Sequence, residues 1–164
     1  MIDLDLGWST ERLDLEPLAV THAAELAPLL DDASLHEFTG GAPLPAAALA
    51  ARYARLAARR SPDGGQLWGN WVVRIRATGA AAGIMQATLP AGGPAAGPAE
   101  VAWVVVRAAQ GRGYAKEAAR SLVAVLQEAS SSSGASSAAW VTASGSKSSR
   151  SVGQPESRSI THRP

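Results

Sequence analysis

The chain has 164 residues, 46% hydrophobic and 18% charged, which suits one soluble domain with its own core. Fifteen Lys and Arg against fourteen Asp and Glu leave a net charge of +1, so neither nucleic acid nor an anionic membrane is expected as the main partner. Cysteine is absent, which excludes disulfides, thiolate metal sites and a cysteine nucleophile; His22, His36 and His162 lack a metal-ligand spacing, so no metal is expected.

Asp3 and Asp5 and the lack of a long apolar run predict neither a signal peptide nor a membrane span, hence a cytoplasmic protein. Leu13 and Leu15 alternate with Arg12, Asp14 and Glu16, the period of a half-buried strand over residues 10–18 that stops at Pro17. Thr21 reads as the N-cap of a helix over 22–31, with Ala23, Leu26, Leu29 and Leu30 at helical spacing. A loop with Gly40-Gly41 leads to a second helix over 46–60, apolar at Leu49, Tyr53 and Leu56 and closed by Arg59-Arg60 at its negative pole. Strands are predicted over 71–76, 83–89 and 100–106, the first two forming a hairpin, and the third, rich in Val, buried on both faces.

Gln110 to Tyr114 is a glycine-containing turn, followed by a helix over 114–128 whose apolar stripe includes Ala118, Leu122 and Leu126. Ala139 to Ala143 is the last strand, with Trp140, like Trp103, read as a core aromatic. About half of residues 130–151 are serine, and residues 144–164 carry few large apolar side chains. The fold class is mixed α+β: a central, mostly antiparallel sheet with one parallel strand pair, flanked by helices.

A strand, a glycine turn and a helix in this order build an anion site. The helix start leaves amides unpaired, its dipole adds positive potential, Gly111 and Gly113 permit close backbone approach, and Arg112 adds charge. Neither the Walker A nor the Rossmann pattern is met. Gln110-Gly111-Arg112-Gly113-Tyr114-Ala115 instead resembles the acyl-CoA-binding signature of GNAT-type N-acetyltransferases, met by Gln110, Gly113 and Ala115. Glu100-Val-Ala-Trp-Val-Val, Gly113-Tyr-Ala-Lys-Glu-Ala and the run from Thr10 to Leu18 resemble the RimJ/RimL-like branch.

The resemblance covers about residues 10–143 and implies an acetyl-CoA-dependent N-acetyltransferase, a soluble enzyme that joins acyl-CoA to an amine acceptor. It implies that Val104, Val105 and Val106 offer backbone bonds to pantetheine where two strands splay apart. Gly111 to Ala115 would cradle the pyrophosphate, Glu100 would be the general base, and the loop with His36 and Phe38 would line the acceptor pocket. It further implies that a homodimer can form. Residues 1–143 are read as the GNAT-like domain and 144–164 as its serine-rich, degenerate C-terminal tail, which lacks the family's usual tyrosine acid. That departure keeps an alternative open, a catalytically weak protein that binds or senses acyl-CoA.

Overall fold

The computed structural model describes residues 3–36, 42–93, 96–131 and 141–145. The elements, in chain order, are β1 (Trp8–Ser9), β2 (Leu13–Pro17), α1 (Ala23–Leu29), α2 (Ala46–Leu56), β3 (Gln66–Ile75), β4 (Ala81–Pro90), β5 (Ala99–Val105), α3 (Tyr114–Ser131) and β6 (Val141–Gly145). The six strands lie side by side in chain order. Every neighbouring pair is antiparallel except β5 and β6, which run parallel. α3 is the crossover that a parallel pair requires. This is the mixed α+β class that the sequence implies.

The strand periodicity sorts the side chains onto two faces. Leu15, Val73 and Val105 form one cross-strand row with Gly83, and Trp71, Met85 and Trp103 form the next. α3 covers this face through Ala118, Leu122 and Leu126, which are buried. Trp8 stacks edge-on against Trp71 at 5.2 Å and donates its indole N–H to Ser121 of α3. The opposite face carries the rows Asn70–Gln86–Ala102 and Trp68–Thr88–Glu100. α1 and α2 pack together on that side. Arg74 ties α1 to the sheet by pairing with Glu16 of β2 and with Glu25 of α1. Its hydrogen bonds hold the Glu25 carboxyl below the usual range.

Local chemistry moves several predicted ends. Thr21 is not the N-cap; it lies in a 3-10 turn over Val20–His22, and His22 caps α1. The His22 ring accepts the Ala19 amide at 3.0 Å, which closes the 3-10 turn, and it makes no side-chain bond to the first amides of α1. α2 ends at Leu56, so Arg59 and Arg60 fall outside it. Arg59 turns to φ 57° and pairs with Asp5 at 2.7 Å, which stops the helix. β3 begins at Gln66, ahead of the predicted Trp71, because its partner β4 supplies a full ladder back to Pro90. β5 is not buried on both faces: Glu100 is exposed, and Ala102 and Trp103 are half-buried. β6 runs through Ser144 to Gly145, two residues past the predicted end of the last strand; the remaining tail lies outside the described residues.

β4 passes β5 closely at Gly83, where a Cβ would sit 2.0 Å from the Val104 carbonyl oxygen. Gly83→Ala is therefore expected to lower stability by about 2 kcal/mol or more, read from urea melts. An unchanged midpoint would show that this close approach does not set the strand spacing.

Candidate active site

β5 delivers its C-terminal end to the start of α3. The Val106 amide donates to the Ala82 carbonyl at 2.9 Å, and its carbonyl accepts the Ala109 amide. In an antiparallel ladder the bonding direction alternates. Val104 therefore bonds toward Ile84 of β4, and the backbone polar groups of Val105 face the other way. The side chain of Gln110 confirms that direction, since its Nε2 donates to the Val105 carbonyl at 3.0 Å. Among the described residues the β5–β6 ladder ends at Trp103 and Gly145. Of the three valines, Val105 is thus the one whose amide faces away from β4, while both backbone groups of Val106 are engaged.

The turn that follows has Gly111 at φ 75° and Gly113 at φ 79°, left-handed values that a side chain would strain. The first intrahelical bond of α3 runs from the Glu117 amide to the Gly113 carbonyl at 3.1 Å. The amides of Gly113, Tyr114, Ala115 and Lys116 consequently have no acceptor within the helix. Arg112 is exposed beside them. A narrow void of about 10 Å³ joins this turn to β4 and β5, lined by Gly83, Val105, Tyr114 and Ala115 among others.

An arginine and a glutamate clamp the turn. The Glu117 carboxylate accepts from the Thr10 hydroxyl at 2.6 Å, the Arg12 amide at 3.0 Å and Arg12 Nε at 2.7 Å. Arg12 Nη1 also donates to the Arg112 carbonyl at 3.0 Å, and its guanidinium lies 4.9 Å from the Tyr114 ring centroid. Burial raises the Glu117 carboxyl pKa, but the bonds from Thr10 and Arg12 together outweigh it and hold the group below its ordinary value. The Arg112 carbonyl is thereby drawn toward Arg12.

On the opposite sheet face a cavity of about 260 Å³ opens between α1, α2 and strands β3 to β5. Leu18, Leu49, Tyr53, Asn70, Gln86 and Val104 are among its lining residues. Glu100 is not in the lining. It lies on the same face as Ala102, one cross-strand row farther along, about 7 Å at strand spacing.

An acetyltransferase (GNAT) domain profile matches residues 12–154. The chain belongs to the GNAT acetyltransferase family.

Solved structures of similar fold include a candidate acetyltransferase from T. thermophilus, with TM-score 0.61 and 23% identity over 78% of this chain and 63% of that one. The GNAT-family acetyltransferase of Bacillus anthracis gives TM-score 0.57 and 15% identity, covering 79% of this chain and 69% of that one. An acetyltransferase from Salmonella typhimurium, described as modifying the N-terminal serine of a ribosomal subunit protein, gives TM-score 0.57 and 13% identity, covering 75% and 65%. This GNAT chain thus spans about 63% of the length of the first of these. No curated protein matches it significantly.

Within the GNAT chain, the Val104 side chain faces the α1–α2 cavity, and Gln110, held to the Val105 carbonyl, opens the glycine turn. Glu100 stands apart from it, on the cavity side of the sheet. His36 ends a 3-10 turn over Ala33–His36, which the pairing of Asp32 with Arg107 at 2.8 Å holds close to the end of β5. The His36 side chain and the whole of Phe38 lie outside the described residues. Arg12, Glu117, Tyr53 and Asn70 were not legible as site residues. Thr10, Arg12 and Glu117 do stand inside the runs that carry the family resemblance, which is the signal that could have pointed to them.

Because the folded state lowers the Glu117 pKa, its contribution to stability is present above the ordinary value of 4.5 and is lost as pH falls through the folded value. Glu117→Gln should lower stability by about 1–2 kcal/mol at neutral pH. That difference should shrink as urea melts are taken below pH 4.5. A difference independent of pH would show that the carboxylate charge plays no part in the clamp.

Proposed function

We propose that the protein is an acetyl-CoA-dependent N-acetyltransferase that acetylates a primary amine, a protein or peptide N-terminus or a small-molecule amine, by direct attack. The observation that carries this reading is the start of α3, where four amides without helical acceptors, two left-handed glycines and exposed Arg112 converge. Such an end suits the pyrophosphate of coenzyme A. Membership of the GNAT family supports the assignment.

Acetyl-CoA supplies an activated acetyl group, and the chain's own residues place it. The amides of Gly113 to Lys116 and the Arg112 guanidinium hold the phosphates. Gln110 fixes the Val105 carbonyl, so the neighbouring backbone is set before ligand binds. The Val105 amide stabilises charge on the thioester oxygen as the tetrahedral centre forms. Glu100, through water, accepts the proton that the amine sheds. The C–N bond forms, the C–S bond breaks, and the thiolate takes a proton from solvent.

Deprotonating an α-amine at pH 7 costs about 1 kcal/mol, against about 4–5 kcal/mol for a lysine side chain. A single exposed carboxylate suffices for the former, which favours an α-amine. The N-terminal serine described for the Salmonella typhimurium neighbour is of that kind. The cavity on the α1–α2 side is assigned to the acceptor, and the family resemblance, not a described contact, adds His36 and Phe38 as acceptor contacts.

Two variants test the two halves of this reading. Arg112→Glu should weaken acetyl-CoA binding at least tenfold in calorimetry while leaving the ligand-free melting point unchanged. Glu100→Gln should lower kcat about 100-fold or more with acetyl-CoA affinity intact. Intact affinity in the first removes the phosphate assignment. Full turnover in the second removes the base, and absence of turnover in the unaltered protein with intact acetyl-CoA binding favours the sensing alternative.

A further inference from the structure

We propose that the acceptor is a compact, apolar amine that carries a hydrogen-bond-accepting oxygen, a carbonyl or carboxylate, and that Tyr53 and Asn70 select it through that oxygen. The proposal rests on the acetyl-transfer reading of the same site. The cavity of about 260 Å³ lies at the small end of ligand pockets, so its occupant is a small molecule or one terminal residue of a peptide. Leu18, Leu30, Leu44, Leu49 and Leu56 give it an apolar wall.

Two polar side chains interrupt that wall. Tyr53 is 2% exposed and Asn70 is 3% exposed. Tyr53 Oη and Asn70 Nδ2 are sealed from solvent, and neither has a hydrogen-bond partner among the described residues. Buried polar groups without partners are rare and costly. An amide nitrogen only donates, and a phenol donates as long as it stays protonated. Burial pushes Tyr53 up to about 12, against a smaller opposing pull from the Arg52 charge, so it remains a donor at neutral pH. Arg52 also lines the cavity and adds positive potential. What this set of donors lacks is an acceptor oxygen. Each of the two atoms gains a bond it otherwise lacks, against the water bonds that the incoming oxygen gives up. An amine with only hydrocarbon attached leaves both unsatisfied.

Three probes of matched shape separate the possibilities: L-leucine, L-leucinamide and 3-methylbutylamine, which keeps the amine and apolar body without the oxygen. Binding to the full chain is measured by calorimetry, with and without saturating coenzyme A, so no turnover is required. A failure of coenzyme A itself to bind would break the acetyl-transfer reading separately. At least tenfold tighter binding of L-leucine or L-leucinamide than of 3-methylbutylamine is expected. L-leucine ahead of L-leucinamide assigns the oxygen to a carboxylate paired with Arg52; the reverse order assigns it to a carbonyl. Tyr53→Phe, which removes one oxygen atom and keeps the shape, and Asn70→Ala should each reduce that preference while leaving 3-methylbutylamine affinity in place. Equal affinities, a preference that survives both substitutions, or no binding by any of the three would overturn the proposal.

Discussion

The first turn of α3 has four backbone amides and no acceptor inside the helix to meet them. That deficit organises the site. An acid in the first turn of a helix is drawn to this positive end, and Glu117 stands there. Thr10 and Arg12 hold its carboxylate against the β2 side instead, and Arg12 takes the Arg112 carbonyl with it. In the proposed reading the amides of the turn are thereby left for a ligand. Two segments about a hundred residues apart in sequence thus meet at the start of α3.

The second constraint is the alternation of the β4–β5 ladder. It sends the polar groups of Val104 toward β4 and those of Val105 toward the opposite edge, where Gln110 already holds one of them. The side chains split the other way: Val104 faces the α1–α2 cavity and Val105 packs under α3. In the proposed reading, one strand therefore separates a cofactor side from an acceptor side by a single residue step.

The sequence made the architecture legible where side-chain period and backbone demand coincide. Leu13 and Leu15 mark β2, and the glycine turn before Tyr114 marks the start of α3. It failed where pairing decides. Gly69 and Asn70 have poor strand propensity, yet β4 draws them into β3. Alanine gave the second helix no period near its end, so the break at Arg59 was invisible. Tyr53 read as core and is core; that its hydroxyl has no partner among the described residues is a fact of tertiary packing, which no single-sequence pattern carries. Glu117 carried no signal of its own within its helix; only the fold placed Thr10 and Arg12 beside it.

The central claim is that coenzyme A binds at the start of α3 and along the Val105 edge of β5. Backbone amide chemical shifts measured during a titration with acetyl-CoA test it most directly. The account predicts that the largest shifts fall on Gly111 to Lys116 and on Val105, with β1 and the β3–β4 hairpin tip unmoved. Binding that shifts other amides and leaves Gly113, Tyr114 and Val105 unchanged would contradict it.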